Sequence, residues 1–174
     1  MPAEIAFRPV TAADYSLLLG WLRAPHVREW WGDPAEELDQ IRGMVEGRDT
    51  TRPYIIELAG RPVGYVQAWF VDDNRAYAAE HPWIDELPPG TVGVDLSIGD
   101  PTLLSHGIGS AALAAFTALL RADGHETIVI DPDPTNLRAV RAYAKAGFRP
   151  IPALEGRSGG ALIMQHHPEA TCPT

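Results

Sequence analysis

The sequence predicts a mixed α/β domain, and three features carry that expectation. In the second half of the chain strands and helices alternate, the pattern of a sheet with some parallel pairing. In the first half two β-rich runs flank a Gly-Arg turn, as in an antiparallel hairpin. No internal repeat, low-complexity run or polar linker interrupts the 174 residues, so residues 1–174 read as one domain.

Taken in order, residues 5–10 read as a first strand. Thr11 then opens a capping box with Asp14, starting a helix that runs to about residue 23. A second helix starts at Asp33-Pro34-Ala35-Glu36, with Asp33 as cap and Pro34 in the first helical position. Residues 53–59 and 62–71 form the hairpin strands around Gly60-Arg61, and the polar, proline-punctuated stretch 72–90 reads as a long surface excursion. Residues 92–98 form a strand. The next helix starts near Gly107 and ends near residue 122, with Ile108, Ala112, Ala115, Phe116, Leu119 and Leu120 on one stripe. Residues 127–130 form a strand buried on both faces. Thr135 or Asp133 caps the following helix, whose Leu137, Val140 and Ala144 share a face. Gly147 ends it, and strands follow at 148–151 and 161–165.

Composition narrows the function classes. A chain that is 45% hydrophobic and 21% charged can bury a core, and it has no run near the roughly 18–20 apolar residues needed to span a bilayer. The start, Met1-Pro2-Ala3-Glu4, has neither the basic segment nor the apolar stretch of an export signal, so a cytoplasmic protein is expected. The single cysteine, Cys172, excludes a disulfide framework and a cysteine-based zinc site. The six histidines, including His166-His167, show no metal-ligand spacing, and no metal is expected. Twenty-three acids against 14 bases give a net charge of -9. That balance repels nucleic-acid phosphates and anionic lipid and attracts cationic ligands, although surplus acid also serves plain solubility.

The segment Ser105-His106-Gly107-Ile108-Gly109-Ser110 lies between a strand and a helix start. Glycines there let backbone N–H groups approach a ligand, and a helix N-terminus favours a phosphate; a tight turn into a helix is the plainer reading. The segment matches neither the GxGxxG dinucleotide fingerprint nor a P-loop.

A second block adds to it. Asn136-x-x-Ala139-x-x-x-Tyr143-x-x-x-Gly147-Phe148, one strand and one helix after the Gly107-x-Gly109 turn, resembles the GNAT superfamily of acetyl-CoA-dependent N-acetyltransferases. Further blocks are similar to aminoglycoside 6'-N-acetyltransferases and cover roughly residues 5–165. They are Glu29-Trp30-Trp31-Gly32, Pro53-Tyr54-Ile55, Pro62-Val63-Gly64-Tyr65-Val66-Gln67, Gly93-Val94-Asp95 and the run from Asp131 to Ala139. Siderophore-pathway lysine N-acyltransferases share parts of the plan, including the double tryptophan. Leu104 stands where the superfamily usually has Gln or Arg, Leu96 where these enzymes have Gln, and residues 80–86 replace an acidic Trp-Glu insertion.

The resemblance implies a mostly antiparallel central sheet, splayed at a cofactor cleft and flanked by helices. It implies acetyl-CoA held by Leu96, Ser97 and Ile98, by Leu104, Ser105, His106, Gly107, Ile108, Gly109 and Ser110, and by Asn136 and Ala139. Asp95 would fix and deprotonate an ammonium group whose pKa is roughly 10; otherwise it caps a turn or pairs with an arginine. Tyr143 would donate to a leaving thiolate, or simply pack, and Asn136 would bond the pantetheine arm, or cap its helix. Trp30, Trp31 and Tyr65 would wall a sugar ring, though such rings are more often core. Asp131, at the end of a buried strand, would join Asp95 in an acidic pocket. Glu80, Asp85 and Glu86 read as solvated loop charges or an extension of that pocket. The implied activity is acetyl transfer to a cationic small-molecule amine by direct attack in a ternary complex, in a monomer or homodimer with no nucleic-acid or membrane partner. The alternatives are a siderophore-type lysine acyltransferase and a non-catalytic acyl-CoA-binding module.

Overall fold

The computed structural model describes residues 3–168; Cys172 lies outside them. Seven strands, β1 (Ile5–Pro9), β2 (Arg52–Leu58), β3 (Arg61–Phe70), β4 (Val92–Ile98), β5 (Ile128–Ile130), β6 (Phe148–Pro150) and β7 (Met164–His166), are hydrogen-bonded in the order β1-β2-β3-β4-β5-β7-β6. The helices are α1 (Tyr15–Arg23), α2 (Pro25–Trp31), α3 (Pro34–Val45), α4 (Ile108–Ala122) and α5 (Leu137–Lys145). Strand pairing is antiparallel for β1 with β2, β2 with β3, β5 with β7 and β6 with β7, and parallel for β4 with β5. The mixed, mostly antiparallel sheet is therefore as expected. Among the described residues no helix is long and apolar enough to cross a membrane. The described chain divides into two compact units, one running up to Ala68 and including Leu96–Gly109, the other comprising Trp69–Asp95 and the residues from Ser110 on.

In the first unit Val10, Leu18, Leu22, Val27, Leu38, Ile41, Ile55 and Tyr65 form a buried cluster. Burying each such side chain contributes about 1.5–3 kcal/mol. Asp14 anchors the entry to α1: its carboxylate accepts from the Thr11 N–H at 2.9 Å and from both Arg8 terminal nitrogens at 2.9 and 2.8 Å. Residues 12–14 form a 3-10 turn ahead of α1. Asp33 caps α3 as expected, accepting from the amides of Ala35 and Glu36. Helix α2 was not anticipated: it has no side-chain cap, buries only Val27, and opens on Pro25 at its first turn. The hairpin turn sits one residue earlier than expected, at Ala59-Gly60. Both have positive φ (50° and 76°), the requirement of a type I′ turn.

The second unit corrects four expectations. Residues 72–90 are not a bare surface excursion: they form two 3-10 segments that bury Trp83, Ile84 and Leu87 against Val71, Val129, Leu154 and Ile163. On α4 the buried stripe uses Leu113, whereas Leu119 is 51% exposed. Helix α5 is capped by Asn136, whose side chain accepts from the Ala139 amide at 3.2 Å; Asp133 instead accepts from Thr135, and Leu137 is exposed. The last strand spans Met164–His166, because Ile163 and Leu162 bond the loop positions Ile151 and Pro132.

Candidate functional site

The parallel pairing of β4 and β5 places the acidic residues of the second unit. Val92 is in register with Ile128 and Gly93 with Val129. Continuing that register sets Asp95 opposite Asp131, just beyond the carboxyl end of β5. Carboxyl ends of parallel strands are where ligands gather in open sheets. Because side chains alternate along a strand, Val92, Val94, Ile128 and Ile130 fill one buried face, and Gly93, Asp95, Val129 and Asp131 share the other.

Two carboxylates so placed oppose each other's ionisation. Burial raises the Asp131 carboxyl well above the ordinary carboxylate range, and the Asp95 charge raises it further. Tyr143, 8% exposed on α5, feels the same pair. Burial pushes its phenol up, and the charges of Asp95 and Asp131 add to the shift, so the hydroxyl stays protonated at neutral pH. The structure thus brings Asp95, Asp131 and Tyr143 into one electrostatic group. Such a group can bind a cation, accept a proton at a carboxylate and offer one at a phenol.

Asn136 and Ala139 open α5 in the same unit. The Asn136 carbonyl oxygen is engaged by the Ala139 amide, which leaves the carboxamide NH2 as its donor group. Of the loop acids, Asp85 lies 3.7 Å from Arg75 and Glu86 pairs with Arg157, as solvated loop charges do.

The first unit holds the glycine turn. Ser105 and Gly107 both have positive φ (63° and 78°) while His106 between them does not, and α4 starts at the next residue. Alternation of this kind turns successive backbone N–H groups to one side, and the opening turn of α4 adds its own along the helix axis. A Cβ on Gly107 would meet no protein atom within 4 Å. The glycine therefore answers to its φ, and the space above the turn suits an anion such as a diphosphate. Gly109 is helical, with Leu96 and Ile98 at ordinary contact distance. His106 Nδ1 donates to the Leu104 carbonyl at 2.8 Å, which holds the ring against the turn. Ser97 and Ser110 are half-buried.

The expected acceptor walls also lie in the first unit. Trp31 stands edge-on to Tyr65 with centroids 5.7 Å apart. Tyr65 is 3% exposed within the core and donates to Gln67 Oε1 at 2.6 Å, while Trp30 and Trp31 are each half-buried. Trp69 on β3, absent from the expected acceptor walls, lies with its ring on Gly93. The signal was a glycine inside a buried strand, which marks close approach by another group. Among the described residues no cluster of three or more His, Cys, Asp or Glu is arranged to hold a metal ion.

Residues 10–155 match the acetyltransferase (GNAT) domain. The aminoglycoside N(6')-acetyltransferase type 1 of Klebsiella pneumoniae is 32% identical over 168 residues, covering 92% of this chain and 82% of the relative. A kanamycin resistance protein of Rhizobium radiobacter is 39% identical over 83 residues, 47% of this chain and 77% of the relative. Among solved structures, the aminoglycoside acetyltransferase AAC(6')-Ib in complex with coenzyme A and kanamycin superposes with a TM-score of 0.80 at 31% identity, covering 96% of each chain. The aminoglycoside N(6')-acetyltransferase of Legionella pneumophila shares the fold at a TM-score of 0.75 and 21% identity, covering 95% of this chain and 93% of that one.

Proposed function

This chain belongs to the acetyltransferase (GNAT) domain family, and on that premise we propose that it acetylates a primary amine of a cationic small molecule, the 6'-amino group of an aminoglycoside. The observation that carries the reading is the register that sets Asp95 opposite Asp131 on one face of the β4–β5 pair, in the same unit as the buried phenol of Tyr143. Acetyl-CoA, when bound, supplies a thioester open to attack by an amine. In the first unit the backbone of Leu104, Ser105, His106, Gly107, Ile108 and Gly109 would hold its diphosphate and Leu96, Ser97 and Ile98 would line its pantetheine arm; in the second unit Ser110, Asn136 and Ala139 would contact it. Asp95 accepts the proton that the ammonium must lose, and Tyr143 keeps a proton at Oη for the leaving thiolate. In the second unit Asp131 would anchor a cationic group of the acceptor; in the first unit Trp30, Trp31 and Tyr65 would offer aromatic surface to a sugar ring. On this proposal the chain acts as a single catalytic domain, cytoplasmic and monomeric or homodimeric, with no metal, nucleic-acid or membrane partner.

Release of CoA thiol from acetyl-CoA in the presence of kanamycin tests this directly. Asp95→Ala and Tyr143→Phe are each expected to lower kcat by about 100-fold or more, the usual scale of proton-transfer catalysis, while acetyl-CoA affinity holds within about two-fold. Absence of CoA binding by calorimetry overturns the reading. Thiol release with lysine derivatives but not with kanamycin moves the acceptor to the siderophore-lysine type. Binding of CoA without thiol release for any amine leaves a non-catalytic binding module.

A further inference from the structure

We propose that Trp69 forms an aromatic floor for the acceptor, on which an amine-bearing ring lies with its ammonium turned toward Asp95 and Asp131. The inference deepens the acetyltransferase reading and rests on it. The Val71 N–H donates to the Thr91 carbonyl at 3.0 Å, which pairs the ends of β3 and β4 and sets Trp69 opposite Gly93 two residues further on. A Cβ on Gly93 would fall 1.9 Å from Trp69 Cε2 and 2.1 Å from Cζ2. The indole therefore lies against the Gly93 backbone, where no other residue leaves room for it. Gly93 is also in register with Val129, and Trp69 packs on the cluster containing Val129, so the ring extends across the glycine on that face of the sheet.

Asp95 and Asp131 stand on the same face two residues beyond Gly93 and Val129 along their strands, about 6.6–6.8 Å from them at the usual strand rise. One sheet face therefore carries an indole followed by two carboxylates. Trp83 fixes the tilt of that indole, edge-on at 6.1 Å and 74°; it is itself 5% exposed, whereas Trp69 keeps part of its surface accessible. An aromatic face attracts cations and the C–H edges of saturated rings, and the carboxylates neutralise an ammonium. The combination suits a rigid amino-sugar ring better than a flexible alkylamine, which has no flat face to lay on the indole.

The test uses the full chain, kanamycin as acceptor and lysine amide as a linear comparison amine. Trp69→Ala is expected to raise KM for kanamycin about ten-fold, the scale of a lost aromatic–cation contact, with a smaller effect on lysine amide and acetyl-CoA affinity unchanged. Gly93→Ala, which displaces the indole, is expected to raise the same KM. Kanamycin binding should change tryptophan fluorescence in the parent protein, and Trp69→Phe should measurably reduce that change, the remainder coming from Trp30 and Trp31. If Trp69→Ala does not fold, Trp69→Phe decides through fluorescence and KM. A folded Trp69 variant with the parent's kanamycin KM and fluorescence response overturns the floor while leaving the acetyltransferase reading intact. A parent protein that releases no thiol with any amine overturns both.

Discussion

At the scale of single residues, the acidic pair sets a conflict between stability and recognition. Asp131 is held above its ordinary range by burial and by the Asp95 charge, so the folded state binds its proton more readily than the unfolded chain does. For a raised carboxyl, the stabilising excess proton is fully present below the unfolded value and is lost as pH rises through the folded value, so near neutrality the buried carboxyl costs stability. Asp131→Asn removes that cost. The expected result is a rise in Tm of about 2–4 °C, equivalent to about 1 kcal/mol for a chain of this size. The same variant should lose about ten-fold or more in kcat/KM for a cationic acceptor, with acetyl-CoA affinity kept. A fall in Tm measured by calorimetry contradicts the assignment of Asp131 as a carboxyl destabilised by burial and by the Asp95 charge.

At the scale of elements, the short strand β7 is held by a histidine rather than by its length. Arg121 Nε donates to His166 Nδ1 at 3.0 Å, an Arg121 terminal nitrogen donates to the His166 carbonyl at 3.0 Å, and the Phe148 ring lies 5.2 Å from the imidazole. Burial, then the Arg121 charge and His167, push the His166 imidazole down from 6.5 to about 4; a hydrogen bond with the Ala146 backbone opposes them. Between those values the unfolded chain binds the extra proton, so His166 favours the fold fully above pH 6.5 and loses that advantage as pH falls toward 4. The loss amounts to on the order of 2–3 kcal/mol. Urea unfolding at about pH 7 and about pH 4.5 should show a drop that is larger in the parent than in His166→Gln; equal drops would remove His166 from this role. At the same scale the elements differ in how legible they were. The hairpin, α4 and the strand carrying Asp95 follow from periodicity and turn residues. Helix α2 lacks a side-chain cap and buries a single residue, so neither end signals nor a stripe announced it. Leu119 and Leu113 both satisfy a helical stripe, and only neighbouring elements select Leu113 for burial.

At the scale of the molecule, the net charge of -9 bears on the acceptor more than on the fold. A polycationic substrate is drawn to such a protein over distances that salt screens, since the Debye length shortens from about 14 to about 4 Å between about 50 and about 500 mM salt. KM for kanamycin is expected to rise several-fold over that range, and KM for the anionic acetyl-CoA to stay level or fall. A kanamycin KM indifferent to salt would mean that recognition rests on close contacts alone.

The sequence by itself determined the α/β class, the glycine turn at the start of α4 and the Asn136-to-Phe148 pattern, because each is written in local spacing and residue type; Asp95 and Asp131 became candidates through the family resemblance those motifs carry. Tertiary structure decided which of these meet. The register of β4 against β5 sets Asp131 opposite Asp95, and the register of β3 against β4 lays Trp69 on Gly93. Register is a long-range pairing that periodicity leaves open, since shifting a strand by two residues preserves its alternation while changing every partner.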